Sequence, residues 1–154
     1  MGRKGRGSLA GVLAAASLLL FAVPASAVVF RGDTSQTGQR AKVFVGSGGR
    51  IKLARITWTA ECRDNGSLSD GTHFIPPFDR ASKSGFLDRG GYRAHSRRYD
   101  FRYRGVIAGK RHGDVFRGRF KVKIVVKRDG AHVDTCRSGT VRWEAHRAAD
   151  GHGG

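Results

Sequence analysis

One stretch constrains this chain more than any other. Between Asp114 and Lys127, Phe116, Gly118, Phe120, Val122, Ile124 and Val126 occupy every second position. Arg117, Arg119, Lys121, Lys123 and Lys127 fall between them. Successive side chains of a β-strand point to opposite faces, so this period of two predicts a half-buried strand with one apolar and one basic face.

The same alternation recurs. In Ile51–Cys62, the residues Ile56, Trp58, Ala60 and Cys62 share a face opposite Arg55, Thr57, Thr59 and Glu61. Ile51 and Leu53 are out of phase with that set, which predicts a bulge near Ala54. In Arg97–Ala108, Tyr99, Phe101 and Tyr103 face one way, and Arg98, Asp100, Arg102 and Arg104 the other. Shorter strands are predicted at Ala41–Val45, Thr72–Ile75, Ser84–Leu87, Val133–Cys136 and Thr140–Ala145, after an apolar start at Val28–Arg31. Thr34–Arg40, Gly46–Gly49, Arg63–Gly71 and Asp88–Ser96 read as loops, the last because of Gly90-Gly91. Gly109–Gly113 and Asp129-Gly130 read as hairpin turns. The 23 glycines against 3 prolines suit short strands and many turns. Beyond the leader, no segment holds an apolar 3.6-residue period for a dozen residues. The predicted fold is therefore all-β: an antiparallel β-sandwich of jelly-roll type with about eight strands, or alternatively a flattened β-barrel. Its inner face should gather Trp58, Phe101, Phe120, Val122, Ile124 and Trp143.

The first 27 residues have the form of an export signal. Arg3, Lys4 and Arg6 precede the apolar run Leu9–Val23, Pro24 follows, and Ala25-Ser26-Ala27 is a small-x-small cleavage site. Gly7 to Phe30 is uncharged and long enough to span a bilayer, so a retained anchor is the alternative. The expected division is a cleaved signal peptide over 1–27, one β-domain over 28–147 and a flexible polar tail over 148–154. After cleavage nothing else would hold the chain in a membrane, and it reads as a monomer.

Two cysteines, Cys62 and Cys136, fall in the exported part. In an oxidising compartment such a pair is expected to bridge. Two separate buried thiols are the alternative; a zinc site would lack two ligands.

Composition is strongly basic. The chain has 29 Lys+Arg against 12 Asp+Glu, and without Arg3, Lys4 and Arg6 the remaining 26 cations still leave a net charge of +14. The basic faces of Arg97–Ala108 and Asp114–Lys127 would lie side by side across the Gly109–Gly113 hairpin. Arg98, Arg102 and Arg104 would then join Arg117, Arg119, Lys121 and Lys123 in one basic sheet surface that attracts polyanions. For an exported protein those are anionic polysaccharides, wall polymers or extracellular nucleic acid. A merely solvated face in an Arg-rich protein is the plainer reading of the same charges.

The order of short motifs resembles a family of small, uncharacterised exported β-proteins of high-GC actinobacteria. Gly32-Asp33-Thr34-Ser35-Gln36-Thr37-Gly38 matches its opening Gly-x-Thr-Ser-Gln-x-Gly. Gly49–Cys62 matches a Gly-Arg-Ile segment ending in Trp-x-x-x-Cys, and Cys136–Trp143 matches Cys-x-Ser-Gly-Thr-Val-x-Trp. The resemblance implies an exported β-fold with Cys62 paired to Cys136, and no chemistry.

No catalytic, cofactor or metal-binding set emerges. His73, His95, His112, His132, His146 and His152 show no metalloprotease spacing, and there is no Gly-x-Ser-x-Gly elbow. Glu61 and Glu144 are the strand carboxylates that acid–base chemistry would need, and both face away from the tryptophans. Arg31-Gly32-Asp33 spells a cell-adhesion tripeptide that chance explains. The reading from sequence is a non-catalytic module that binds polyanions or cell-envelope polymers. The alternative is a small secreted hydrolase, nuclease or glycan-active, using a His/Glu pair.

Overall fold

The structure, a computed structural model, describes residues 27–64 and 66–149. The leader up to residue 26 and the tail from 150 lie outside the described residues, so the signal-peptide, anchor and tail readings fall there almost entirely. Among the described residues no helix is long and apolar enough to cross a membrane.

Among the described residues ten antiparallel strands form. They are β1 (Val28–Asp33), β2 (Arg40–Val45), β3 (Ile51–Cys62), β4 (Ser67–Phe74), β5 (Arg80–Ser82), β6 (Gly85–Ser96), β7 (Tyr99–His112), β8 (Val115–Arg128), β9 (Ala131–Arg137) and β10 (Val141–Arg147). One layer is β5–β6–β7–β8, and the other is β4–β3–β2–β1. Two long strands organise them, because each shares one edge between two partners. Along that edge β3 pairs with β2 through Ile51–Ile56 and with β9 at Glu61 and Cys62. Likewise β8 pairs with β10 through Val115–Phe120 and with β9 through Lys123–Arg128. As β10 also pairs with β1, β9 and β10 join the layers at both sides. The result is a sandwich drawn toward a flattened barrel, with β4 and β7–β6–β5 extending beyond the closed part. Consecutive strands pair as hairpins from β1 to β4 and from β5 to β9, two meanders where a jelly roll would have Greek-key crossings.

Apolar faces meet between the layers. Trp58 of β3 stacks on Phe120 of β8 with centroids 6.4 Å apart. Phe30 meets Phe116 edge-to-face at 4.8 Å, and Phe74 meets Phe120 at 6.2 Å. Trp143 lies over Gly118 and Gly109, where an added Cβ would come within 2.4 and 2.7 Å of its ring. Those glycines make room for the indole. Cys62 and Cys136 stand directly opposite across the β3–β9 junction and form a disulfide. Asp134, buried beside it, accepts hydrogen bonds from the Arg63 and Asp64 amides at 3.1 and 3.3 Å.

Where β3 and β8 pass from one partner to the next, a short gap opens in each ladder, and a motif side chain fills it. The Gln36 amide donates to Thr59 O at 2.7 Å and accepts from Thr59 N at 2.9 Å, as a paired strand residue would. At β8, Ser138 Oγ accepts from Val122 N at 2.9 Å and Ser138 N donates to Val122 O at 3.1 Å. The Thr-Ser-Gln and Cys-x-Ser motifs thus close the seams of the fold.

Several sequence expectations need correction. Ser67–Gly71, expected as loop, is the first part of β4 and pairs with Thr57–Glu61. Asp88–Ser96, also expected as loop, completes β6 and pairs with β7 throughout. Its glycines mislead because they serve close packing: a Cβ on Gly91 would sit 2.7 Å from Tyr103 O. The turn after β7 falls at Gly113-Asp114, at the far end of the expected Gly109–Gly113 hairpin, because β7 and β8 stay paired to His112 and Val115. The β3 irregularity is at Lys52, where Val45 and Phe44 face Ile51 and Leu53, two residues earlier than expected. Arg80–Ser82 adds a strand with no counterpart in the sequence reading.

Candidate functional site

The outer face of the β6–β7–β8 layer continues across β9 and β10, and register alone decides which cations meet there. Arg104, Lys123 and Arg137 stand in one cross-strand row on β7, β8 and β9. Arg93 stands opposite Arg102, Arg119 opposite Arg142, and Lys110 opposite Arg117. Rows on one face recur about every 6.8 Å along a strand, and neighbouring strands lie about 4.8 Å apart. Like charges placed directly opposite destabilise a sheet.

Compensation is sparse. Glu144 accepts a hydrogen bond from Arg117 Nε at 2.6 Å and meets His146 Nε2 at 2.8 Å. The hydrogen bond from Arg117, with His146 adding to it, holds the Glu144 carboxyl below its usual range. His95 Nδ1 meets Asp100 at 2.7 Å, again across the face. Arg89 turns to Asp79 at 3.0 Å. Among the described residues, Arg93, Arg102, Arg104, Arg119, Lys121, Lys123, Arg137 and Arg142 have no carboxylate partner.

Three depressions follow one another along this face. The first, of about 470 Å³, is lined by Arg93, His95, Asp100, Arg102, Arg104, Lys123 and Lys127, with Phe101 at its wall. The second, of about 380 Å³, shares Arg104 and Lys123 and adds Lys121, Arg137 and Thr140. The third, of about 610 Å³, is bordered by Lys110, Arg117, Arg119, Arg142 and Glu144. Together they make a shallow trough along β8. From Lys127 to Arg117 it extends about 34 Å at the rise of an extended strand. No Phe, Tyr or Trp occupies an outward position of these strands; the exposed tyrosines, Tyr92 and Tyr99, belong to the opposite parity.

Of the sequence-derived candidates, Arg102, Arg104, Arg117, Arg119, Lys121 and Lys123 are brought together on this face. Arg98 is not. It sits in the β6–β7 turn beside Arg97, whose φ is +52°, and its guanidinium forks onto the Asp129 carboxylate at the next turn. Sequence reasoning missed Arg93, Lys110, Arg137 and Arg142. Arg93 was lost with the loop reading of Asp88–Ser96, although Arg89, Gly91, Arg93 and His95 keep a period of two. Arg137 and Arg142 sit at or near strand ends, and only their pairing with Lys123 and Arg119 shows what they face.

The other layer is different. Its outward positions mix Arg31, Lys42 and Arg55 with a hydrogen-bonded polar set: Thr57 accepts from Arg40 N at 2.7 Å, and Thr59 contacts Ser69 at 2.8 Å. At the open edge between β4 and β6, Tyr92 donates to Asp70 at 2.9 Å and stacks on Tyr103 at 4.2 Å. Burial, then the bond to Asp70, pushes the Tyr92 hydroxyl above its ordinary range.

The geometry defines a β-sandwich with a basic trough on one face, whose outward strand positions carry no Phe, Tyr or Trp. No protein-family model, no curated protein and no solved structure matches this chain.

Proposed function

We propose that this chain is an exported binding module whose β6–β10 face takes up a linear anionic polymer. The observation that carries this is the uncompensated row Arg104–Lys123–Arg137, at the overlap of the first two depressions on this face. Forming these rows costs the isolated fold repulsion, and an anion laid along them relieves it. The absence of outward Phe, Tyr or Trp favours recognition of charge over stacking on sugar rings or bases. Arginine dominates the rows, and its planar fork suits phosphate, sulfate and carboxylate groups alike. Anionic wall polymers, acidic polysaccharides and extracellular nucleic acid are the ligands that fit. Export is supported by the leader-type sequence, the Cys62–Cys136 bridge and the resemblance to exported actinobacterial β-proteins. The module acts as a monomer, since two copies of so basic a face repel each other.

Binding to heparin and to DNA, measured over a range of salt, tests the reading. Affinity should fall linearly on a log–log plot, with a slope of roughly 0.7–0.9 per phosphate neutralised for nucleic acid. Changing Arg117, Arg119, Lys121 and Lys123 together to Ser should flatten that slope by about 2.8–3.6 for nucleic acid, if each contacts one phosphate. An unchanged slope would leave the face a solvated surface and nothing more.

A further inference from the structure

One end of the trough carries more than charge. His95 and Asp100 are register partners on β6 and β7, and Arg93 and Arg102 are the adjacent register pair on the same face. The four side chains therefore form a square: an acid–base couple beside two guanidinium groups. All four line the same depression of about 470 Å³. Asp100 contacts His95 Nδ1 at 2.7 Å, which directs the other ring nitrogen, Nε2, away from the carboxylate. Arg93 and Arg102 have no carboxylate partner among the described residues. The remaining His–carboxylate contact on this face, His146–Glu144, lacks that arrangement because Arg117 already occupies Glu144.

We infer that this square is a site of RNA chain cleavage by attack of the neighbouring 2′-hydroxyl. The inference rests on the polyanion-binding reading, and adds chemistry at one end of the trough. Arg93 and Arg102 hold the phosphodiester by its non-bridging oxygens, where their positive charge meets the charge that builds up during attack. His95 Nε2 takes the proton of the 2′-hydroxyl as its oxygen bonds to phosphorus. The bond from phosphorus to the 5′-oxygen of the next nucleotide breaks. That oxygen takes a proton from water, and the hydroxide so formed receives the proton held by His95. The products are a 2′,3′-cyclic phosphate and a free 5′-hydroxyl, with no oxidant, metal or further reactant. Asp100 is a positioning residue that keeps the ring proton on Nδ1.

The chemistry requires the 2′-hydroxyl, so the probes are a uridine oligomer, its 2′-deoxy counterpart and its 2′-O-methyl counterpart. The purified chain should bind all three and cleave only the first, leaving 2′,3′-cyclic ends detectable by mass. His95→Gln should lower the cleavage rate about 100-fold or more, the usual share of a general base. It should melt within about 2 °C of the parent, as an exposed substitution does. Asp100→Ala should also slow cleavage, and Asp100→Glu should restore part of it. Binding of the 2′-O-methyl oligomer without cleavage of the uridine oligomer would overturn this inference and leave the binding reading standing. Failure to bind any of the three, or heparin, would overturn both. Cleavage that persists in His95→Gln would assign it to another agent and overturn the inference as well.

Discussion

Gln36 offers a sharp test of how the two layers are joined. Its side chain takes the place of a strand in the gap between β2 and β9, with bonds of 2.7 and 2.9 Å to the two main-chain groups of Thr59. Gln36→Ala removes both at once and leaves a half-buried amide and carbonyl without a protein partner. Each such bond contributes about 0.5–1.5 kcal/mol net, so the variant should lose roughly 1–3 kcal/mol. In a domain of this size 1 kcal/mol moves Tm by about 4 °C, which places the expected fall at about 4–12 °C. Gln39→Ala is the control. It loses one contact, Nε2 to Thr59 Oγ1 at 3.0 Å, and should cost less than half as much. Calorimetry gives the stability change, and amide hydrogen exchange locates it: Thr59 should be protected in the parent and should exchange quickly in Gln36→Ala. A Tm within about 1 °C of the parent, with Thr59 still protected, would refute the seam-closing role.

Other perturbations probe the remaining joints. Reducing the Cys62–Cys136 bridge, or changing Cys62 to Ala, should cost about 2–5 kcal/mol, read as a lower urea midpoint. Lys123→Ser relieves the Arg104–Lys123–Arg137 row and should raise stability by about 0.2–1 kcal/mol at low salt, a gain that disappears in concentrated salt. Burial and Asp70 raise the Tyr92 hydroxyl above its ordinary value of 10.0, and burial moves Tyr103 the same way. The stability they contribute is fully present below pH 10.0 and is lost as pH climbs through their raised values; Tyr92→Phe should lessen the fall of the urea midpoint above pH 10.0.

Which residues lie inside was legible in β3, β7 and β8, because alternation is a property of one strand and needs no partner. Trp58, Phe120, Val122, Ile124 and Trp143 are buried as their parity predicted, and Phe101 is half-buried. The same parity placed Arg102, Arg104, Arg117, Arg119, Lys121, Lys123 and Lys127 outward. The disulfide was legible for a different reason, the chemistry expected of paired cysteines behind a leader. Ser67–Gly71 and Asp88–Ser96 were not. Their Ser, Asp and Gly residues carry weak local preference, and hydrogen bonds offered by β3 and β7 make them strands. Register was beyond reach as well, since it depends on where distant strands meet. It places Arg137 in line with Arg104, seats Arg93 beside His95 and Asp100, and brings Gln36 to Thr59. In the strands whose alternation is strong, the sequence by itself thus determined which side chains face solvent, a matter of local geometry. Only the tertiary structure decided which of them stand side by side, because pairing is settled by contacts between segments far apart in the chain.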